Sequence, residues 1–184
     1  MNEGADRQII LIGYRCTGKT AIGKKLAVRL GLPFIDTDAL VEEENGLTIR
    51  EMVAEKGWEC FREKEREAIR SLAGRCQSVV ATGGGVVLDE RNAAFLKNAG
   101  VIIWLAAGED TICRRMRRDA ATLAQRPPLS SGDLQTEIAA TLAERTPFYR
   151  RLADFTVVTD AAGLEECAQR IEEFLTEHGL IRPL

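Results

Sequence analysis

The stretch Gly13-Tyr-Arg-Cys-Thr-Gly18-Lys19-Thr20 has the spacing G-x-x-x-x-G-K-[ST], directly after the apolar run Ile9–Ile12. That spacing cradles phosphate. Glycines let the backbone curl so that successive N–H groups point at phosphate oxygens, and a helix starting near Lys19 aims its positive end at the same place. Cys16, Thr17, Gly18 and Ala21 then offer backbone N–H groups, Lys19 reaches the outer phosphates, and the Thr20 hydroxyl suits Mg²⁺. Arg15 and Cys16 are bulkier than the middle of such a loop requires. Arg15 is expected to face solvent, whereas Cys16 sets a thiol against the cradle.

Further candidates lie at the ends of other apolar runs. Asp36-Thr37-Asp38 follows a short apolar segment. One carboxylate there could act on a Mg²⁺ water shell and the other on an acceptor hydroxyl, because an alcohol nucleophile must lose its proton. Taken alone, D-x-D is more often a turn or a helix cap. Thr82-Gly83-Gly84-Gly85 ends another run, and three glycines there allow a ligand close to the backbone. Arg62 sits on a charged helical segment whose i,i+4 neighbours offer it no ion-pair partner. Arg126 lies in Gln-Arg-Pro-Pro-Leu, and Arg145 lies where a helix gives way to a turn before Pro147.

Elements that position these residues follow from periodicity. Strands are expected at Gln8–Ile12, Pro33–Asp36, Ser78–Ala81, Val101–Leu105 and Phe155–Val158. Helices are expected at Lys19–Leu30, from the Thr48–Glu51 capping box onward, at Glu59–Leu72 after a break at Gly57, and near residues 91–97, 110–118, 134–144 and 164–178. The last helix carries Leu164, Cys167, Ile171, Phe174 and Leu175 on its apolar face, with Gly179 ending it. Repeated βα units imply a parallel five-stranded sheet with helices on both faces. The expected organisation is one domain over 1–184, with a core at 8–37, 73–119 and 133–178. A helical substrate-binding segment at 38–72 and a lid at 120–132 complete it.

Composition excludes several alternatives. Apolar residues are 45%, charged residues 29% and the net charge −3, so a nucleic-acid-coating surface is not expected. No apolar run approaches a membrane span and no signal pattern opens the chain, which makes the expected location cytoplasmic. A single histidine, His178, and five cysteines without a C-x-x-C pair exclude a His-based zinc site or a Cys-His nucleophile. The cysteines are expected to be mostly reduced and buried.

GYRCTGKT, the Asp36–Asp38 pair, CFREKE around Arg62, TGGG, RPPL and ERTPFYRR occur in the order and approximate spacing of shikimate kinases, which the chain resembles from about residue 8 to 174. The resemblance implies a P-loop fold of the nucleoside monophosphate kinase type. It also implies transfer of the ATP γ-phosphate to the 3-hydroxyl of shikimate by a Mg²⁺-dependent monomer, in the pathway to chorismate and the aromatic amino acids. By position, Asp38 would bind ring hydroxyls and orient or deprotonate the nucleophile, and Arg62 and Arg145 would grip the carboxylate. Gly83, Gly84 and Gly85 would line the pocket, Gly84 foremost. Lys19 and Arg126 would stabilise the transferring phosphate, Arg126 arriving with the lid. Thr20 would bind Mg²⁺, with Asp36 acting through water, and Arg115 would lie beside adenine. The chain departs from the family pattern in having Cys16 for the usual glycine, RPPL for RPLL, and no Arg or Pro at Thr159–Ala162.

The same elements admit rivals. A gluconate-type kinase also joins a carboxylate to an alcohol, but does not require TGGG together with both arginine contexts. A nucleoside monophosphate kinase has an anionic acceptor that needs no Asp base. A regulatory nucleotide-binding module would not need Lys19, Asp38, Arg62, Arg126 and Arg145 together.

Overall fold

Five short apolar runs become strands, the three in the middle of the sheet mostly buried and the two at its edges partly exposed. The computed structural model describes residues 7–118 and 133–181. Its strands are β1 (Gln8–Ile12), β2 (Phe34–Asp36), β3 (Val79–Ala81), β4 (Gly100–Ala106) and β5 (Phe155–Val158). All pair in parallel in the order β2-β3-β1-β4-β5. β1 is central and fully buried, which explains why it reads as an unbroken apolar run rather than an alternating one. Its alternate side chains feed two cores. Ile9 and Leu11 meet Ile22 and Leu26 of α1 (Lys19–Leu30) and Ile171 and Leu175 of α7 (Leu164–Glu177). Ile10 and Ile12 meet the opposite layer, built from α3 (Ile49–Arg70), α4 (Glu90–Ala99) and α6 (Leu134–Leu152), through Ile69, Leu96 and Tyr149.

Two further helices complete the described elements: α2 (Thr37–Asn45) and α5 (Glu109–Arg118). The Thr48–Glu51 capping box is formed as expected and opens α3. Gly57, at φ 81 and ψ 169, kinks α3 in the middle, so the expected break is present although the element continues across it. In effect α2 and α3 are the helical excursion between β2 and β3 that the sequence implies.

Several expectations need correction. The helix expected to stop near residue 144 runs on to Leu152 with Pro147 inside it. Proline removes one hydrogen bond, to the Ala143 carbonyl, but Ala143 and Pro147 are both exposed, so water can satisfy that carbonyl. Of the cysteines only Cys113 and Cys167 are buried; Cys16 and Cys60 are half-buried and Cys76 is exposed. Leu164, placed on the apolar face of α7, is the first residue of the helix and 47% exposed. No described helix is long and apolar enough to cross a membrane. The proposed lid, 120–132, and Arg126 within it lie outside the described residues.

Candidate active site

Because every strand runs the same way, the loops after β1, β2 and β3 converge at one edge of the sheet, and α6 crosses beside them. The loop after β1 is tightly drawn. Gly13 has φ 143 and a Cβ there would meet the Leu105 carbonyl oxygen at 2.4 Å, so only glycine fits. Gly18 caps α1 at φ 97. Cys16 is the one non-glycine residue with positive φ among the described residues, at 59°. That left-handed conformation is one that glycine would adopt freely and that costs a residue with a Cβ.

The cationic and hydroxyl groups of the loop are already engaged. Lys19 is 9% exposed and donates from Nζ to the carbonyls of Gly13 (2.8 Å) and Tyr14 (2.7 Å), bracing the loop's curl. Thr17 Oγ1 donates to the Tyr14 carbonyl at 2.9 Å. Thr20 Oγ1 donates to Asp36 Oδ2 at 2.8 Å. Asp36 serves two ends, since its Oδ1 also caps α2 by accepting from the N–H groups of Asp38 and Ala39. The cap reading of D-x-D is therefore correct, and it leaves Asp38 in the first turn of α2, 9% exposed, facing Gly83.

Next to this loop lies a cavity of about 50 Å³ that opens to solvent. Asp38, Arg62, Arg145 and the backbone of Gly83–Gly85 all line it, so the residues expected to hold the acceptor are brought together. The glycines make room for charge. A Cβ on Gly83 would lie 2.8 Å from both Asp38 Oδ1 and Glu65 Oε1, and one on Gly85 would lie 2.6 Å from Arg62 Nη2. The Gly83 N–H is held by Thr37 Oγ1 at 3.2 Å, and the Gly84 carbonyl accepts from the Tyr149 hydroxyl. Trp58 and Phe61, edge-on to each other at 5.9 Å, form an aromatic wall beneath the Arg62 guanidinium.

Three arginines line the cavity, and they differ in what they hold. Arg62 donates to Glu65 Oε2 at 2.7 Å. Arg15 donates to Glu137 Oε1 at 3.0 Å, with both side chains under 10% exposed. Arg145 is 7% exposed, has no carboxylate within ion-pair distance among the described residues, and its buried Nε lacks a hydrogen-bond partner. A buried guanidinium without an anion is costly unless a ligand supplies one. Burial lifts the Glu65 carboxyl above its ordinary value, against the pull of Arg62 and Arg145. Burial likewise raises the Tyr149 phenol, which stays a neutral donor.

Arg15 is the clearest correction among the site residues. Expected at the surface, it is buried against Glu137 and lines the cavity. Glu65 is not an i,i+4 neighbour of Arg62; the two pair at i,i+3, a spacing that also brings helical side chains together. Glu137 and Tyr149 gave no local signal, since their partners lie 122 and 65 residues away. Arg115 donates to the Cys16 carbonyl at 3.2 Å and to Thr159 Oγ1 at 3.0 Å, joining the phosphate loop to the loop after β5.

The model of the shikimate kinase family matches residues 15–176. A shikimate kinase of Syntrophus aciditrophicus is 48% identical, over 92% of this chain and 91% of that protein. One of Pelotomaculum thermopropionicum is 42% identical over 95% and 99% respectively. Among solved structures, the shikimate kinase from Acinetobacter baumannii in complex with shikimate is similar with a TM-score of 0.89 and 30% identity. That similarity covers 96% of this chain and 97% of the other.

Proposed function

The chain belongs to the shikimate kinase family, and from that premise we propose how its residues carry transfer of the ATP γ-phosphoryl group to the 3-hydroxyl of shikimate. The observation that bears most weight is Arg145: a buried guanidinium without an anion, opening on the same cavity as the Asp38 carboxylate. A monoanionic acceptor with a reactive alcohol matches that pair. Its carboxylate supplies the anion Arg145 lacks, with Arg62 as second donor, while a ring hydroxyl falls to Asp38. Glu65 holds Arg62 against the aromatic wall, so the clamp is set before substrate enters.

In the transfer step the acceptor oxygen forms a bond to the γ-phosphorus, the bond from that phosphorus to the bridging oxygen breaks, and ADP departs with the electron pair. Asp38 orients the hydroxyl and accepts its proton. Backbone N–H groups from Gly13 to Ala21, with Lys19, hold the phosphates and offset the charge that builds on them. Arg126 joins Lys19 in that task, and Arg115 lies against the nucleotide base.

The oxygen donors at Thr20 and Asp36 suit Mg²⁺, a hard cation commonly bound by one or two protein oxygens plus phosphates and water. No described cluster of three or more His, Cys, Asp or Glu could hold a metal, which fits that sparse ligation. Bound there, Mg²⁺ neutralises phosphate charge. We take a monomer as the working unit. We assign the reaction to the cytoplasm, where ATP is abundant and thiols stay reduced; none of the five cysteines is in a disulfide.

Steady-state ADP release with shikimate, gluconate and AMP offered separately tests this reading. ADP should appear with shikimate alone. Background release with shikimate would refute it.

A further inference from the structure

The Arg15–Glu137 pair has no part in the chemistry above, yet it is a buried ion pair across the centre of the site. We infer that it is a positioning device: it ties one face of α6 to the phosphate loop and thereby sets where Arg145 stands. The inference rests on the reading of Arg145 as the carboxylate anchor.

The face in question is Glu137, Thr141, Arg145 and Tyr149, spaced four apart and all buried. Successive turns touch successive parts of the site. Glu137 accepts from Arg15 of the loop at 3.0 Å. Arg145 lies with its guanidinium carbon 6.0 Å from the centre of the Tyr14 ring, the same ring that Arg15 approaches at 5.7 Å. Tyr149 donates to the Gly84 carbonyl. Arg145 has no carboxylate of its own to fix it, so its placement depends on the turns on either side.

The two ends hold Arg145 in different ways. At one, the Tyr149 phenol lies directly against the Arg145 guanidinium. At the other, the Glu137 turn ties the helix itself, through Arg15, to the phosphate loop. Burying an ion pair rarely adds net stability, so the worth of this one lies in the geometry it enforces.

The full-length chain carrying Arg15→Met, Glu137→Gln, both together, or Arg15→Lys would be assayed with shikimate and with its uncharged primary amide. Each of the first two should raise the KM for shikimate roughly tenfold, a misplacement of under an ångström, with the KM for ATP unchanged. The double variant should be no worse than the poorer single, and Arg15→Lys should recover part of the loss. With the amide, which has no carboxylate to anchor, the penalty should vanish; a purely structural defect would persist.

Additive losses, equal effects on both substrates, or an equal penalty with the amide would overturn the inference. So would a defect in Arg15→Met without one in Glu137→Gln, which would mean that Arg15 contacts substrate itself. The double variant removes both charges of this pair together, so it keeps the test open if a single variant fails to fold. If the unaltered enzyme used acid and amide equally, the carboxylate-anchor reading would fall, and the inference with it.

Discussion

Gly83→Ala separates the placement of the catalytic carboxylate from the integrity of the fold. The new Cβ would stand 2.8 Å from Asp38 Oδ1 and 2.8 Å from Glu65 Oε1, where ordinary contact begins at 3.4 Å. Each carboxylate must therefore retreat by about 0.6 Å, taken as the difference between those two distances. Gly83 is not among the residues with positive φ, so alanine suits the backbone, and its N–H can keep the bond to Thr37. The atoms that must move are the ends of side chains, not backbone, and the stability cost should stay within about 1 kcal/mol. Catalysis is less forgiving. Constellations of this kind need placement within about 0.5 Å, and a 1 Å error can cost about 100-fold, so kcat should fall by roughly 10- to 100-fold. The KM for ATP should not change, because the phosphate loop is untouched. Steady-state ADP release over both substrates, alongside thermal unfolding, reads out both quantities. Gly163→Ala is the matched control: it does not line the cavity, its φ of −70° suits alanine and an added Cβ meets nothing within 4 Å, so activity should be retained. A Gly83→Ala enzyme with wild-type kcat, or a Gly163→Ala enzyme equally damaged, would refute the reasoning.

Arg62→Ala paired with Glu65→Gln, which avoids stranding a buried carboxylate, should cost about 2–3 kcal/mol in the shikimate complex. That is roughly a 30- to 150-fold rise in the KM for shikimate and little change for ATP; equal rises would argue against a carboxylate contact. Glu65, whose carboxyl is raised by burial from an ordinary value of 4.5, binds a proton in the native chain that the unfolded chain has released. Its contribution to stability is therefore present at low pH and declines as pH rises from 4.5 through the raised native value. Denaturant unfolding across this range should show wild type losing stability relative to Glu65→Gln, and a flat difference would contradict the shift. Cys16→Gly removes a left-handed strain of about 1–2 kcal/mol but adds backbone entropy of up to about 1 kcal/mol, so the melting temperature should rise slightly. A clear fall would mean that Cys16 packing against the Tyr14–Ile112 cluster outweighs the strain.

Much of this architecture was legible because its signals are local. β1, α1 and β5 have the boundaries that apolar runs and flanking glycines imply, and the capping box and the Gly57 break are where Thr48 and Gly57 put them. The phosphate loop, Asp38, Arg62, TGGG and Arg145 do meet at one edge, as their places at strand and helix ends suggest. The continuation of α6 through Pro147 was not legible, because a proline's cost depends on whether water reaches the freed carbonyl, and that depends on which face it occupies. The burial of Arg15 was not legible either. Its partner lies 122 residues away, and nothing in GYRCTGKT distinguishes an arginine turned to solvent from one turned to a distant helix.

The charges around the acceptor cavity also bear on which acceptors it admits. Arg15, Arg62 and Arg145 supply three formal positive charges, and Asp38, Glu65 and Glu137 supply three negative ones. Two of the arginines are already matched within the protein, so among the described cavity residues Arg145 brings the unmatched positive charge to an incoming anion and Arg62 adds donors without net charge. A single carboxylate meets that offer. A phosphate monoester brings nearly twice the charge into a cavity that already holds Asp38 and the buried Glu65, and among the described lining residues the surplus meets no unmatched cation. Glu65 can relieve such crowding by taking a proton, to which its burial already inclines it, but one proton offsets one charge at most. Discrimination against nucleoside monophosphates thus needs no steric gate. It follows from pairing two of the three arginines internally, which keeps the cavity set for a monoanion and leaves Asp38 available to the hydroxyl.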